Sequence, residues 1–141
     1  MTPDQITLVR STFAALERSG LDPARVYDRL FELHPELRDR FPADLGALPQ
    51  NFWSGLTGLV YRLDDVAGLS DEASAAAAYH RHIGVNSVEF AQLGESLDDV
   101  VRTTLDEQYT PTHAEAMRRT WELVTEVLQQ RPRVASESAR F

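Results

Sequence analysis

The residues best placed to do chemistry lie between Tyr79 and Leu97. There the run Tyr-His-Arg-His-Ile-Gly-Val-Asn-Ser-Val-Glu-Phe-Ala-Gln-Leu-Gly-Glu-Ser-Leu carries two of the chain's four histidines. One helical pattern ends at His80, breaks at Ile83-Gly84-Val85, and another begins at Asn86 or Ser87. Phe90 and Gly94 follow His80 by ten and fourteen residues. A histidine at a helix end has an ordinary use as a solvated cap near the negative end of the dipole. Its other use is as a metal ligand: neutral imidazole binds through one nitrogen while the second donates to a carbonyl, which fixes the tautomer. The chain has no cysteine. Disulfides, thiolate catalysis, thiolate ligation of a metal and cysteine-based zinc or iron–sulfur sites are therefore excluded.

The elements that must position these residues read as helices throughout. Thr2-Pro3-Asp4-Gln5 opens the first with a capping box and a proline at the first helical position. Ile6, Val9, Phe13 and Leu16 then share a face, and Gly20 ends it. Asp22-Pro23 starts a second helix carrying Val26, Tyr27, Leu30, Phe31 and Leu33. His34-Pro35 breaks it and begins a short helix from Pro35 to Arg40, stopped by Phe41-Pro42. After a corner, a helix from about Pro49 to Asp64 follows, with Gly55 and Gly58 read as points of close helix approach. Asp64 to Leu69 reads as a loop, and Ser70-Asp71-Glu72 starts the alanine-rich helix that ends at His80. The next helix runs from about Ser87 to Gln108, with Val88, Leu93, Leu97, Val100, Val101 and Leu105 as its apolar face. Thr110-Pro111 starts the last helix, with Met117, Trp121, Val124 and Leu128, and Pro132 ends it. His34 and His113 read as solvated residues at helix starts. No strand alternation or repeat is present, so the expectation is one all-α domain of seven or eight helices.

Bulk properties narrow the function. The 141 residues suit a single domain with a real core. Net charge is −8, and every basic residue is arginine. Such a surface repels nucleic acid and anionic lipid, and favours a soluble monomer or small homo-oligomer. The N-terminus has neither a basic nor an apolar leader region, and no stretch reaches membrane-span length, so the cytoplasm is the expected location.

The pattern His-Arg-X-X-Gly-Val, then Phe90, then Leu-Gly-Glu-Ser-Leu resembles the proximal segment of globins. Tyr27-Asp28-Arg29-Leu30-Phe31-Glu32-Leu33-His34-Pro35-Glu36-Leu37-Arg38-Asp39-Arg40-Phe41 is similar to the second and third helices of bacterial single-domain globins and of the haem domain of flavohaemoglobins. The Leu63-Asp64-Asp65 corner and the Leu105-to-Pro111 turn are similar too, so the resemblance runs from about Thr2 to Gln130. It implies a globin fold over residues 1–132 with a short polar tail, 133–141, and a haem b (iron protoporphyrin IX) cofactor. His80 or His82 could ligate the iron, and the spacing to Gly84, Phe90 and Gly94 favours His80. His82 is then either an exposed polar residue or a contact to a haem propionate. The resemblance places Phe41 flat on the porphyrin and Leu48, Phe52, Val85, Phe90 and Leu93 around it. Tyr27 takes the distal tyrosine position, where its hydroxyl can donate to bound O2.

Departures qualify what the resemblance implies. Leu48 falls where related globins carry glutamine or histidine, and the preceding corner is a few residues shorter than in flavohaemoglobins. A slip of one turn would put Asn51 in the distal position instead. Phe90 replaces a tyrosine, and about Pro132 replaces a glutamate, of the flavohaemoglobin proximal network. The expected function is reversible binding of O2, together with NO or CO, at a five-coordinate iron. The alternatives are an NO dioxygenase or other haem redox enzyme served by a separate reductase, a haem-based gas sensor, and a haem-free interaction module.

Overall fold

A computed structural model describes residues 1–129, without the side chains of residues 66, 75, 79 and 81–83. Six α-helices and two 3₁₀ segments make up the described residues, with no strand among them. They are α1 (Pro3–Arg18), α2 (Ala24–Leu33), a 3₁₀ helix (Pro35–Arg40), α3 (Leu48–Val60), α4 (Val66–Ile83), α5 (Ser87–Leu105), a 3₁₀ turn (Asp106–Gln108) and α6 (Pro111–Gln129). The expected all-α architecture is found. The expected tail, 133–141, lies outside the described residues.

Local chemistry sets the helix starts. Thr2 and Gln5 form the expected capping box, with the Gln5 amide donating to Thr2 Oγ1 at 3.1 Å and the Thr2 amide to Gln5 Oε1 at 3.0 Å. Asn86 and Glu89 form a second at the start of α5. The segment read as a loop, Asp64 to Leu69, is instead the first turn of α4 from Val66 onward. Its cap is Asp65, whose Oδ1 accepts from the Gly68 amide at 3.1 Å while its carbonyl accepts from Leu69 at 2.8 Å. The helix before it stops at Val60 rather than Asp64, because residues 61–64 close into turns. The next long helix likewise ends early, at Leu105, before Asp106 takes φ 49°.

Packing produces two apolar clusters. The larger joins α1, α3, α5 and α6 through Phe13, Leu16, Val60, Val101 and Val124, with Phe13 stacked on Trp53 at 5.1 Å. The smaller gathers Tyr27, Leu30 and Leu37 with Phe31, Phe41, Leu45 and Leu48. Phe52 and Leu93 pack against both, which marks the seam between them. Helix α2 lies across α5, where buried Ser96 donates a short hydrogen bond to the Val26 carbonyl and Arg29 pairs with Asp99 at 3.0 Å.

Several expectations about individual residues change. Val88, assigned to the apolar face of α5, is 64% exposed, because it sits in the first turn before α5 meets its neighbours. Gly55 has nothing within 4 Å of an added Cβ, and Gly58 meets only the Glu72 side chain. The close helix approach is made at Gly94, where a Cβ would overlap the Trp121 indole of α6. His34 is not freely solvated: its Nε2 lies 3.1 Å from Glu95 Oε2, tying the end of α2 to α5.

The Asp65 cap yields a direct expectation. Asp65→Ala should cost about 1 kcal/mol and speed amide exchange at Gly68 and Leu69. Urea unfolding and hydrogen exchange read the two effects together.

Candidate functional site

The seam between the clusters contains a cavity of about 210 Å³. Its wall is mainly apolar: Leu30, Leu37, Phe41, Leu48, Val85, Phe90 and Leu93. Its polar groups are few, namely His80 from α4, Tyr27 from α2, and an Arg40–Glu89 pair. A small number of placed polar groups in an apolar wall is the usual composition of a ligand site. A larger groove of about 610 Å³ runs between α5 and α6, but its charges are already matched, Arg102 to Asp98 and Arg118 to Glu115.

His80 is half-buried three residues before the end of α4. Burial lowers its pKa, and a hydrogen bond to the Ala76 carbonyl one turn earlier partly opposes that shift. Burial thus favours the neutral imidazole, the form in which histidine ligates a metal. The Phe90 ring meets it edge-on, with centroids 5.4 Å apart and planes at 72°. The backbone is fixed as firmly. Gly84 takes φ +76°, a conformation glycine adopts without penalty, and the Val85 amide turns back to the His80 carbonyl at 3.0 Å. This closure places His80 and Val85 in the same wall.

Tyr27 is 4% exposed, with Phe41 and Phe52 edge-on at 5.7 and 5.8 Å. No group among the described residues hydrogen-bonds its hydroxyl, and burial alone drives its pKa well above the usual phenol range. The ring is buried, but the hydroxyl oxygen itself is not fully enclosed. Here it borders the cavity, so an occupant with an acceptor atom would satisfy it.

Arg40 and Glu89 close one rim. Arg40 donates Nε to Glu89 Oε2 at 2.7 Å and Nη2 to Glu89 Oε1 at 2.9 Å, with a longer contact to the Gly84 carbonyl at 3.3 Å. The pair is partly exposed, so its own stabilisation is small, about 0–1 kcal/mol. Its effect is geometric, since it joins the end of the first 3₁₀ helix to the turn that follows His80.

The residues expected from sequence mostly converge. Tyr27, Phe41, Leu48, His80, Val85, Phe90 and Leu93 all line the one cavity. Phe52 does not; it stands behind Tyr27 and reaches Trp121, at 6.4 Å between centroids. Asn51, the alternative distal residue, is exposed on α3. His82 belongs to α4, and its side chain lies outside the described residues. Sequence reasoning missed the Arg40–Glu89 pair. Asn86-X-X-Glu89 is a capping-box signature that could have marked Glu89, but nothing local links it to Arg40, forty-nine residues away.

The His80 shift has a definite consequence for stability. Below its ordinary value near 6.5, the unfolded chain takes up a proton that the folded site resists. Folding stability should therefore fall as pH drops through that range, and this contribution vanishes above it. Urea unfolding of the haem-free protein between about pH 5 and 8 should show a shallower acid slope in His80→Gln than in wild type.

This donor set suits an iron porphyrin: a mainly apolar wall, one imidazole whose pKa is lowered by burial, and one tyrosine hydroxyl without a hydrogen bond. Comparison with known proteins agrees. The Globin family model matches residues 24–128. Neuroglobins from Dissostichus mawsoni and Chaenocephalus aceratus are each 28% identical over 139 residues, covering 87% of both chains. The match takes in α2 through nearly all of α6, and with it every residue of the cavity, so the chain belongs to the globin family, whose members hold haem and bind gases.

Proposed function

We propose that this globin carries haem b and reversibly binds O2, with NO and CO as further ligands. The observation that carries this reading is the meeting of an imidazole whose pKa is lowered by burial and a tyrosine hydroxyl without a hydrogen bond in one mainly apolar cavity. When bound, haem supplies an iron that accepts a diatomic gas.

The residues have separable tasks. His80 holds the iron, its ring aligned by the Ala76 carbonyl and the edge of Phe90. Phe41, Val85 and Leu93 grip the macrocycle and exclude water. Phe52 supports Tyr27 from behind. Leu48 has no ligating atom, so it would not compete with a gas for the iron. His82 is assigned a propionate contact. Tyr27 donates its hydroxyl proton toward a diatomic ligand that carries partial negative charge, as O2 does.

Phe90 offers no hydroxyl to the imidazole beside it, which disfavours an NO dioxygenase built on a polar proximal network. Such an enzyme would also need a reductase as its electron donor. The cytoplasm, and kinship with bacterial single-domain globins, belong to the same proposal. Among the described residues no helix is long and apolar enough to cross a membrane.

Haemin titration tests the ligand. His80→Ala should lose the Soret band of the wild type, while His82→Ala should keep it, and ferrous wild type without gas should be five-coordinate. The reverse pattern for the two histidines, or a six-coordinate low-spin spectrum, would overturn the assignment.

Stopped-flow dissociation tests Tyr27. A hydrogen bond to a partly charged acceptor contributes roughly 1.5–3 kcal/mol. Tyr27→Phe should therefore release O2 about ten- to a hundred-fold faster, with CO release changing much less. An O2 off-rate within about two-fold of wild type would mean that the hydroxyl does not face the ligand.

A further inference from the structure

Trp121 of α6 is not part of the cavity wall, yet three contacts direct it there. Its indole Nε1 donates to the Phe90 carbonyl at 2.9 Å. Its ring lies on Gly94, one turn further along α5, so closely that no Cβ could be added there. Its other side meets Phe52, which in turn meets Tyr27. The carbonyl that Trp121 holds belongs to the residue whose ring touches His80. In α5 that carbonyl faces the Gly94 amide one turn later, so the indole bond is an additional restraint on it.

The geometry points to Trp121 as a positioning residue for the iron ligand: its indole N–H, seated on Gly94, fixes Phe90 and through it the orientation of the His80 ring. The inference rests on the haem reading above. Packing alone does not require the donor, because a phenylalanine could fill much of the same space against Phe52. Nor does it require a glycine at position 94, where α5 is otherwise regular. Both features serve the same bond.

Resonance Raman spectroscopy of the ferrous, gas-free protein reads the iron–imidazole stretch. Trp121→Phe keeps an aromatic ring and removes the donor. Gly94→Ala keeps the donor and displaces it. Both should shift the band from its wild-type position and speed haem transfer to an acceptor protein by about three- to ten-fold. Val124→Ala, a core truncation on the same helix, serves as the packing control. It should lower stability and leave the band in place. A band unmoved in both Trp121→Phe and Gly94→Ala, or moved equally in Val124→Ala, overturns the positioning role while leaving the haem reading intact. A wild type with a Soret band but no such stretch, or with no haem bound, overturns both.

Discussion

The hydrogen bond from the Val85 amide to the His80 carbonyl organises the site. It can form only if the residue between the helix end and Val85 turns left-handed, and Gly84 does so at φ +76°. An alanine there would be strained by roughly 1–2 kcal/mol. With that turn closed, α4 stops just past its histidine and α5 restarts three residues later. Arg40 then reads the turn from outside, contacting the Gly84 carbonyl and the Glu89 carboxylate together. Glu89 also completes the cap of α5. One short corner thus fixes an imidazole, a helix start and the rim of the cavity.

The cavity sits where two cores fail to merge. Tyr27, Leu30 and Leu37 pack with the corner after α2, while the rest of the interior packs around α1, α5 and α6. Among the described residues, Phe52 and Leu93 pack against both, and the space between is walled rather than filled. The Tyr27 hydroxyl and the His80 ring are polar groups set into that otherwise mainly apolar wall. Polar groups bordering an apolar cavity suit a binding site, although Arg10 Nε and Thr57 Oγ1, which lie outside that wall, are also buried without a hydrogen bond.

The fold was largely legible because its signals are local. Thr2-X-X-Gln5, His34-Pro35 and the apolar faces of α1 and α6 each specify their own element. The Asp65 cap was missed because Gly68 and Ala67 blur the helical pattern just where α4 begins. The cavity wall was legible from family resemblance, since Tyr27, Phe41, Leu48, His80, Val85, Phe90 and Leu93 converge on it. What could not be read were bonds between distant segments. Arg40 to Glu89 and Trp121 to Phe90 join residues forty-nine and thirty-one apart. Their types are compatible with an exposed charge and a core aromatic. Phe52 shows the converse: correctly placed near the pocket, it supports Tyr27 rather than lining the wall.

These long-range bonds also decide how occupancy would propagate. A group that binds only the folded chain stabilises it by an amount set by its concentration over its dissociation constant, about 4 kcal/mol at a thousand-fold excess. In this chain that stabilisation is not spread evenly. On the proposed reading it would fall first on Tyr27 and His80, two of the polar groups that line the cavity. From Tyr27 it passes through Phe52, and from His80 through Phe90. Both routes end on Trp121. The α5–α6 contact at Gly94 is therefore one place where the two faces of the cavity are joined. That route runs beside the direct ones, since Leu93 packs against both clusters and Arg40 pairs with Glu89 across the rim.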